Sequence, residues 1–213
     1  MKLTVFGATG GTGRLLVRQA LEAGHHVTAV VRDPARLPID HPALDAVVAD
    51  VLDAASLRPA LDGRDAALSA LGPHGRKDTA GVCSSAISAI LEAMETAGVR
   101  RVVALSAQPV LRTGAGEPLW SRMTVRPLVR AVYRNVYADL DLMERRLTRS
   151  GSDWTVLRPP YLTDAPATGG YRSAVDANVP GSMTRADLAR ALLDVLDEPA
   201  TIRHAIGVAS LRR

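Results

Sequence analysis

The chain has 213 residues, of which 47% are hydrophobic and 23% charged, and its formal net charge is +4. This length and composition suit one globular domain with a sizeable core. The positive charge does not indicate a nucleic-acid-binding protein, because the arginines are interspersed with acids and form no sustained basic run.

The sequence also bears on compartment. No apolar run reaches the length of a membrane span, and the N-terminus lacks the features of a signal peptide. The single cysteine, Cys83, excludes an internal disulfide and fits a reducing environment. We therefore expect a cytoplasmic protein with no membrane partner. No motif indicates an oligomeric state.

The first part of the chain predicts a strand, a glycine turn, a helix and a second strand. Gly7, Gly10 and Gly13 are spaced G-x-x-G-x-x-G directly after the first strand. Such glycines allow a tight turn, a close approach of a pyrophosphate and close packing of helix on strand. The flanking elements are predicted at 3–6, 15–23 and 26–31. This order is typical of a dinucleotide-binding βαβ unit.

Strands and helices go on alternating through the rest of the chain. Strands are predicted at 44–49, 65–70, 101–106, 154–157, 171–175 and 205–209, and helices at 54–61, 80–97, 135–149 and 185–196. Alternation of this kind predicts an α/β fold, Rossmann-like and doubly wound, with a mostly parallel sheet and helices on both faces. We expect residues 1–213 to form a single domain.

In such a fold, ligands bind at the carboxyl ends of the strands. Gly7, Arg32, Asp50, Gly72 and Ser106 all fall at those ends. Two long segments bear on the rest of the site. Residues 108–135 form a candidate lid or insert, helical in part from about 125, and residues 159–183 form a candidate substrate-side segment.

The residues after the second strand bear on the choice of cofactor. NAD-binding units usually carry an acid there, which accepts hydrogen bonds from the ribose 2′-hydroxyl. Here Arg32 takes that place and Arg36 follows, which favours the 2′-phosphate of NADP(H). Asp33 keeps NAD open. Asp50 either approaches the adenine or caps the helix that begins at Ala54.

Several runs of residues resemble the atypical short-chain dehydrogenase/reductase group, in particular its biliverdin IXβ reductase/flavin reductase type. NmrA-like NADP-binding proteins are a more distant likeness. The resemblance covers nearly the whole chain and is weakest at 108–135. The runs that carry it are Gly7-Ala-Thr-Gly-Gly-Thr-Gly13, Val30-Val-Arg-Asp33, Ala49-Asp-Val-Leu52, 67–72 and Ser150-Gly-Ser-Asp-Trp-Thr-Val-Leu-Arg-Pro-Pro160.

The resemblance implies a set of cofactor contacts. It places NADP(H) along the glycine turn and the ends of the first four strands, with the nicotinamide near the ends of the fifth and sixth. The implied residues are Gly7, Thr9, Gly10, Gly11, Thr12, Gly13, Arg32, Arg36, Asp50, Val51, Leu71, Gly72, Ser106, Ala107, Pro159 and Leu162.

The chain departs from ordinary short-chain dehydrogenases at their Tyr-x-x-x-Lys dyad. Tyr133 is followed four residues later by Tyr137, and Tyr137 by Asp141, and the lysines of the chain lie elsewhere. Hydride transfer would then depend on positioning and on the cofactor. Ser106 is a candidate donor to the nicotinamide amide or to a substrate oxygen. Tyr161 stands where the resembled reductases often have histidine, as a proton donor or an aromatic wall.

Four further residues are candidates for the substrate side. His74 follows the fourth strand, where an imidazole could shuttle protons. Trp120, Tyr133 and Tyr137 could stack on a planar acceptor, although core packing explains the tyrosines equally well. The histidines show no metal-ligand spacing with one another or with Cys83, so no metal is expected.

Together these observations favour an NADPH-dependent reductase that passes hydride to a planar conjugated small molecule such as a flavin, a quinone or a linear tetrapyrrole. The missing dyad leaves a second hypothesis open, a non-catalytic NADP(H) sensor of the NmrA-like kind that binds a protein partner. A third is an isomerase or epimerase on the same scaffold.

Overall fold

The computed structural model describes residues 1–73 and 81–211. The described strands are β1 Lys2–Phe6, β2 His26–Val31, β3 Leu44–Val48, β4 Ala66–Ser69, β5 Arg101–Leu105, β6 Asp153–Arg158, β7 Tyr161–Thr163, β8 Tyr171–Val175, β9 Ser182–Thr184 and β10 His204–Ser210. The described α-helices are α1 Gly11–Glu22, α2 Ala54–Leu61, α3 Val82–Ala97, α4 Leu119–Met123, α5 Val125–Val132, α6 Arg134–Arg149 and α7 Arg185–Asp194. Within these residues, none of the helices combines the length and apolar character needed to cross a bilayer.

The main sheet has eight strands in the order β3-β2-β1-β4-β5-β6-β10-β8. Its strands pair in parallel except for β8, which runs antiparallel to β10 at the edge. The order reverses direction at β1, so β1 and β4 flank the point at which a ligand cleft opens in doubly wound folds. The predicted Rossmann-like fold is confirmed.

Helices cover both faces of this sheet and build two hydrophobic cores. On one face α1 and α7 pack together over a core that includes Leu16 and Leu188. On the other face α2, α3 and α6 pack in a row over a core that includes Ile90 and Leu147. Both faces of the central strands are therefore apolar, as expected for a buried parallel sheet.

Three segments differ from the sequence-based expectation. Helix α1 begins at Gly11 rather than near Leu15, because glycines at its start are tolerated where the backbone packs closely. Helix α5 confirms the helical part expected from about residue 125, whereas α4 was not expected in that segment. The parallel pair β7–β9 was not predicted, because three-residue strands are too short to show a period-2 pattern. The expected start of the long helix at residue 80 lies outside the described residues.

A very close backbone contact joins α1 to the turn that precedes it. A Cβ added to Gly13 would lie 2.1 Å from the carbonyl oxygen of Gly7, and a Cβ on Gly7 would lie 2.8 Å from the carbonyl of Ala70. Gly7 also has a φ of 76°, which L side chains rarely adopt. Helix α1 therefore lies directly on the ends of β1 and β4.

Replacing Gly13 by alanine is expected to lower the free energy of unfolding by about 1–3 kcal/mol, since the helix must move away from Gly7. Urea denaturation measures this change. Gly151→Ala is the matched control, because its Cβ would meet nothing within 4 Å, and we expect a change below about 0.5 kcal/mol. Equal stability of the two variants would contradict the packing argument.

Candidate functional site

The glycine turn exposes the N-terminus of α1 at the carboxyl edge of the sheet. Gly10 precedes the helix, provides no side-chain cap and donates its N–H to Gly7 O at 3.0 Å. Gly10 and Gly11 are exposed, and the first turn of α1 contains no acid. Uncapped N–H groups and the positive end of the helix dipole suit an anionic group such as a pyrophosphate. Thr9 and Thr12 lie in the same turn, half-buried and buried respectively.

An arginine that the sequence did not single out lies beside this turn. A Cβ on Gly11 would come within 2.9 Å of Arg185 Cδ and Nε. Arg185 is the first residue of α7, and its Nη1 donates to Asp164 Oδ1 at 3.0 Å. Its position next to Gly11 depends on the packing of α7 on α1, which no local motif indicates.

Arginines lie at and shortly after the end of β2. Arg32 and Arg36 are both exposed, as expected for groups that meet a ligand. Arg14 of α1 joins them, because its Nη2 donates to the Arg36 carbonyl oxygen at 3.0 Å. Asp33 accepts the N–H of Ala35 at 3.0 Å and so caps the short 3-10 turn that follows it. The acid of this segment is thus engaged in local structure, while the guanidinium groups face solvent.

Both apolar and polar residues follow the ends of β3 and β4. Asp50 Oδ1 accepts the N–H of Leu52 at 2.9 Å, and Asp53, not Asp50, caps α2 by accepting the N–H of Ala55. The helix-cap alternative for Asp50 is therefore wrong. Val51 and Leu71 are half-buried against the core under α2 and α3, whereas Gly72 is exposed. His74 lies outside the described residues.

At the end of β5, Ser106 is 8% exposed and its hydroxyl donates to Glu144 Oε1 at 2.5 Å. Glu144 also pairs with Arg158, whose Nε donates to Oε1 at 3.0 Å and whose Nη2 donates to Oε2. The expected role of Ser106 as a donor to a ligand stays a prediction. In this structure the Ser106 hydroxyl donates its hydrogen bond to the Glu144 carboxylate instead.

Sequence reasoning missed Glu144, although α6 contains a usable signal. Val136, Leu140, Met143 and Leu147 form the buried stripe of this helix. Glu144 lies four residues after Leu140 and three before Leu147, so it falls on the same face. A carboxylate on a buried face requires a partner.

The end of β6 connects to the residues after β5 and to the small sheet. Pro159 is buried and its carbonyl accepts the N–H of Gln108 at 3.0 Å, next to the half-buried Ala107. Leu162, in β7, packs on the core beneath α1 and α7. Tyr161 is 79% exposed. Its backbone is fixed by the β7–β9 pair, whereas its ring is open to solvent.

Asn178 joins the two long segments. Its Nδ2 donates to Gln108 O at 3.1 Å and to Glu117 Oε1, while Gln108 Nε2 donates to Val179 O at 2.6 Å. The backbone N–H of Asn178 donates to Ala115 O at 2.8 Å. The base of the candidate lid is therefore attached to the candidate substrate-side segment.

The aromatic candidates divide into two groups. Tyr133 and Tyr137 have ring centroids 6.0 Å apart and pack against the core beneath α3 and α6. Burial, followed by the neighbouring Tyr133, raises the pKa of Tyr137, so its phenol stays protonated. The packing alternative describes both tyrosines. Trp120 is 66% exposed, on a surface of 119–132 that shows further exposed apolar side chains, namely Leu119, Met123, Leu128 and Val132.

Helix α3 differs from α1 at its N-terminus. Asp139 of α6 accepts the N–H groups of Cys83 and Ser84, both at 2.9 Å. Arg146 of α6 donates to the carbonyl oxygen of Ser84. The first turn of α3 is thus closed by a carboxylate from a neighbouring helix.

Two proteins similar to this chain differ in how much of it they match. A Bacillus subtilis protein named as an uncharacterized sugar epimerase is 28% identical over 215 residues, covering 98% of this chain and 94% of its own. An uncharacterized protein of Mycobacterium tuberculosis is 32% identical over 104 residues, but the match spans 48% of this chain and only 12% of that protein.

Solved structures share the fold. An oxidoreductase from Lactococcus lactis superposes with a TM-score of 0.84 at 23% identity, covering 100% of this chain and 92% of its own. A short-chain dehydrogenase/reductase from Veillonella parvula in complex with NADP gives 0.81 at 20% identity, covering 98% and 94%. The family model described as NAD(P)H-binding matches residues 7–199. The chain therefore belongs to the NAD(P)H-binding family.

Proposed function

We propose that the protein is an NADPH-dependent reductase that transfers hydride to a planar, conjugated small molecule such as a flavin, a quinone or a linear tetrapyrrole. The observation that carries the proposal is the pairing of an uncapped helix N-terminus with exposed arginines at the end of β2. This arrangement suits the pyrophosphate and the 2′-phosphate of one cofactor. When bound, NADPH would supply the hydride.

Three arginines support NADPH over NADH. Arg32 follows β2, Arg36 ends the short turn, and Arg14 bonds to the backbone of Arg36. A 2′-phosphate offers several acceptor oxygens to such guanidinium groups. Asp33, the residue that would favour a ribose hydroxyl, already accepts the N–H of Ala35.

The acceptor side favours a substrate that needs no tyrosine acid. Tyr137 is followed by Asp141 rather than by a lysine, and burial raises the pKa of Tyr137. A lysine-lowered phenol is thus not available at this place. Flavins and quinones delocalise the incoming charge and take protons from water. Exposed Tyr161 and Trp120 offer ring faces to a planar molecule.

The name of the Bacillus subtilis relative favours one further candidate, epimerisation of a sugar. Such an enzyme oxidises and then reduces one substrate, so it consumes no net cofactor. It would retain tightly bound nucleotide through purification. A sensor that binds NADP(H) without turnover would resemble it in lacking net consumption, but it would exchange its nucleotide freely.

The purified protein is expected to oxidise NADPH when given at least one acceptor from a panel of FMN, a water-soluble quinone and biliverdin. Loss of absorbance at the nicotinamide band measures the rate. Heat-inactivated protein controls for direct reduction. NADPH binding without turnover on any acceptor contradicts the reductase, and retained nucleotide would then favour the epimerase over the sensor.

Arg32→Ala is expected to weaken NADPH binding by about 1–3 kcal/mol and to leave NADH binding nearly unchanged, because only NADPH carries the 2′-phosphate. Titration calorimetry with both cofactors measures the effect. Arg18→Ala is the control, since it removes an exposed arginine from a later turn of the same helix as Arg14. Equal losses of both cofactors in Arg32→Ala would overturn the preference for NADP.

A further inference from the structure

One buried and two largely buried polar groups meet where β5 and β6 end. Ser106 follows β5, Glu144 comes from the middle of α6 and Arg158 ends β6. The side chains of Glu144 and Arg158 are each 12% exposed, and Ser106 is 8% exposed. The backbone fixes the serine as well, since Ser106 N donates to Leu157 O at 2.8 Å.

The bonds within this cluster have a fixed direction. Arginine has donors only and an ionised carboxylate has acceptors only, so Arg158 holds Glu144 through two parallel hydrogen bonds. Glu144 Oε1 then takes the single proton of Ser106 at 2.5 Å. A serine hydroxyl whose O–H already donates a hydrogen bond has only its oxygen lone pairs left for a ligand. Ser106 therefore presents an acceptor to any ligand that reaches it.

We infer that Glu144, held by Arg158, is a positioning residue that makes Ser106 the hydrogen-bond acceptor for the carboxamide N–H of the nicotinamide ring. The carboxamide is the only N–H donor on that ring, and Ser106 stands at the carboxyl end of a central strand, where this fold binds its ligands. The inference rests on the proposed nicotinamide cofactor and not on the proposed acceptor. It reverses the donor role expected for Ser106 from the sequence.

Comparing two cofactors measures the contribution of the hydrogen bond between the carboxamide N–H and Ser106. In the 3-acetylpyridine analogue of NADP⁺ a methyl group replaces the amide nitrogen, while the carbonyl and the rest of the molecule are kept. The natural protein is expected to bind NADP⁺ roughly tenfold more tightly than the analogue, as one lost hydrogen bond implies. Titration calorimetry gives the ratio of the two dissociation constants without any turnover.

Substitutions of Ser106 and Glu144 then test whether these side chains cause the ratio of the two dissociation constants. Ser106→Ala is expected to bring the ratio below about twofold, whereas Ser106→Thr, which keeps the hydroxyl, restores most of it. Glu144→Gln is expected to lower the ratio, because the amide replaces one of the two acceptor oxygens by an NH2 donor and so no longer fixes the direction of the serine hydroxyl. In the double variant Glu144→Gln adds nothing to Ser106→Ala, since Glu144 acts through the serine. Glu95→Gln, an exposed change of the same charge on α3, keeps the natural ratio.

Adenosine 2′,5′-bisphosphate, which lacks the nicotinamide, separates positioning from loss of structure. Every variant in the series is expected to bind it as the natural protein does. A natural ratio near one, or a Ser106→Ala variant that keeps the tenfold ratio, overturns the inference. So does Glu144→Gln with an unchanged ratio. If the ratios are as expected but no acceptor is reduced, the inference stands and the reductase fails.

Discussion

The approach of α1 to the end of β1 is the constraint on which the site depends. With the Cβ of Gly13 absent, the helix backbone reaches the carbonyl of Gly7, and Gly7 in turn lies against Ala70. This contact carries the N-terminus of α1 to the point where the strand order reverses. It also places Arg14 beside the backbone of Arg36. The same helix packing therefore positions both the glycine turn and one of the arginines near the end of β2.

Helix α6 organises the other half of the cleft. One stripe of it packs on the core, yet the same helix sends Asp139 to α3, Glu144 to the end of β5 and Arg146 to the first turn of α3. The carboxylate that this helix contributes at the end of β5 is paired with Arg158. The role that we infer for Glu144 depends on the direction of its hydrogen bond with Ser106.

Local patterns predicted most of the fold, because a glycine triplet, period-3.6 helices and apolar strands each leave a signal within a short window. The end of β2 was also readable, since Arg32 and Arg36 follow directly in sequence. Glu144 was not, because its partners are 38 and 14 residues away and meet it only through sheet order. Asp50 and Asp53 show where sequence spacing no longer suffices. Both acids precede α2, and only the structure shows that Asp53 is the residue that caps it.

The cap that Asp139 forms on α3 bears on which helix N-terminus can bind an anion. Helices in a sheet of this kind all turn their positive ends toward the ligand edge, and each could compete for a phosphate. Asp53 occupies that end of α2, and Asp139 occupies that of α3. The first turn of α1 holds no acid. Of these three helices, α1 therefore leaves its positive end open to an anion, which favours its N-terminus over those of α2 and α3 for the phosphates of a dinucleotide.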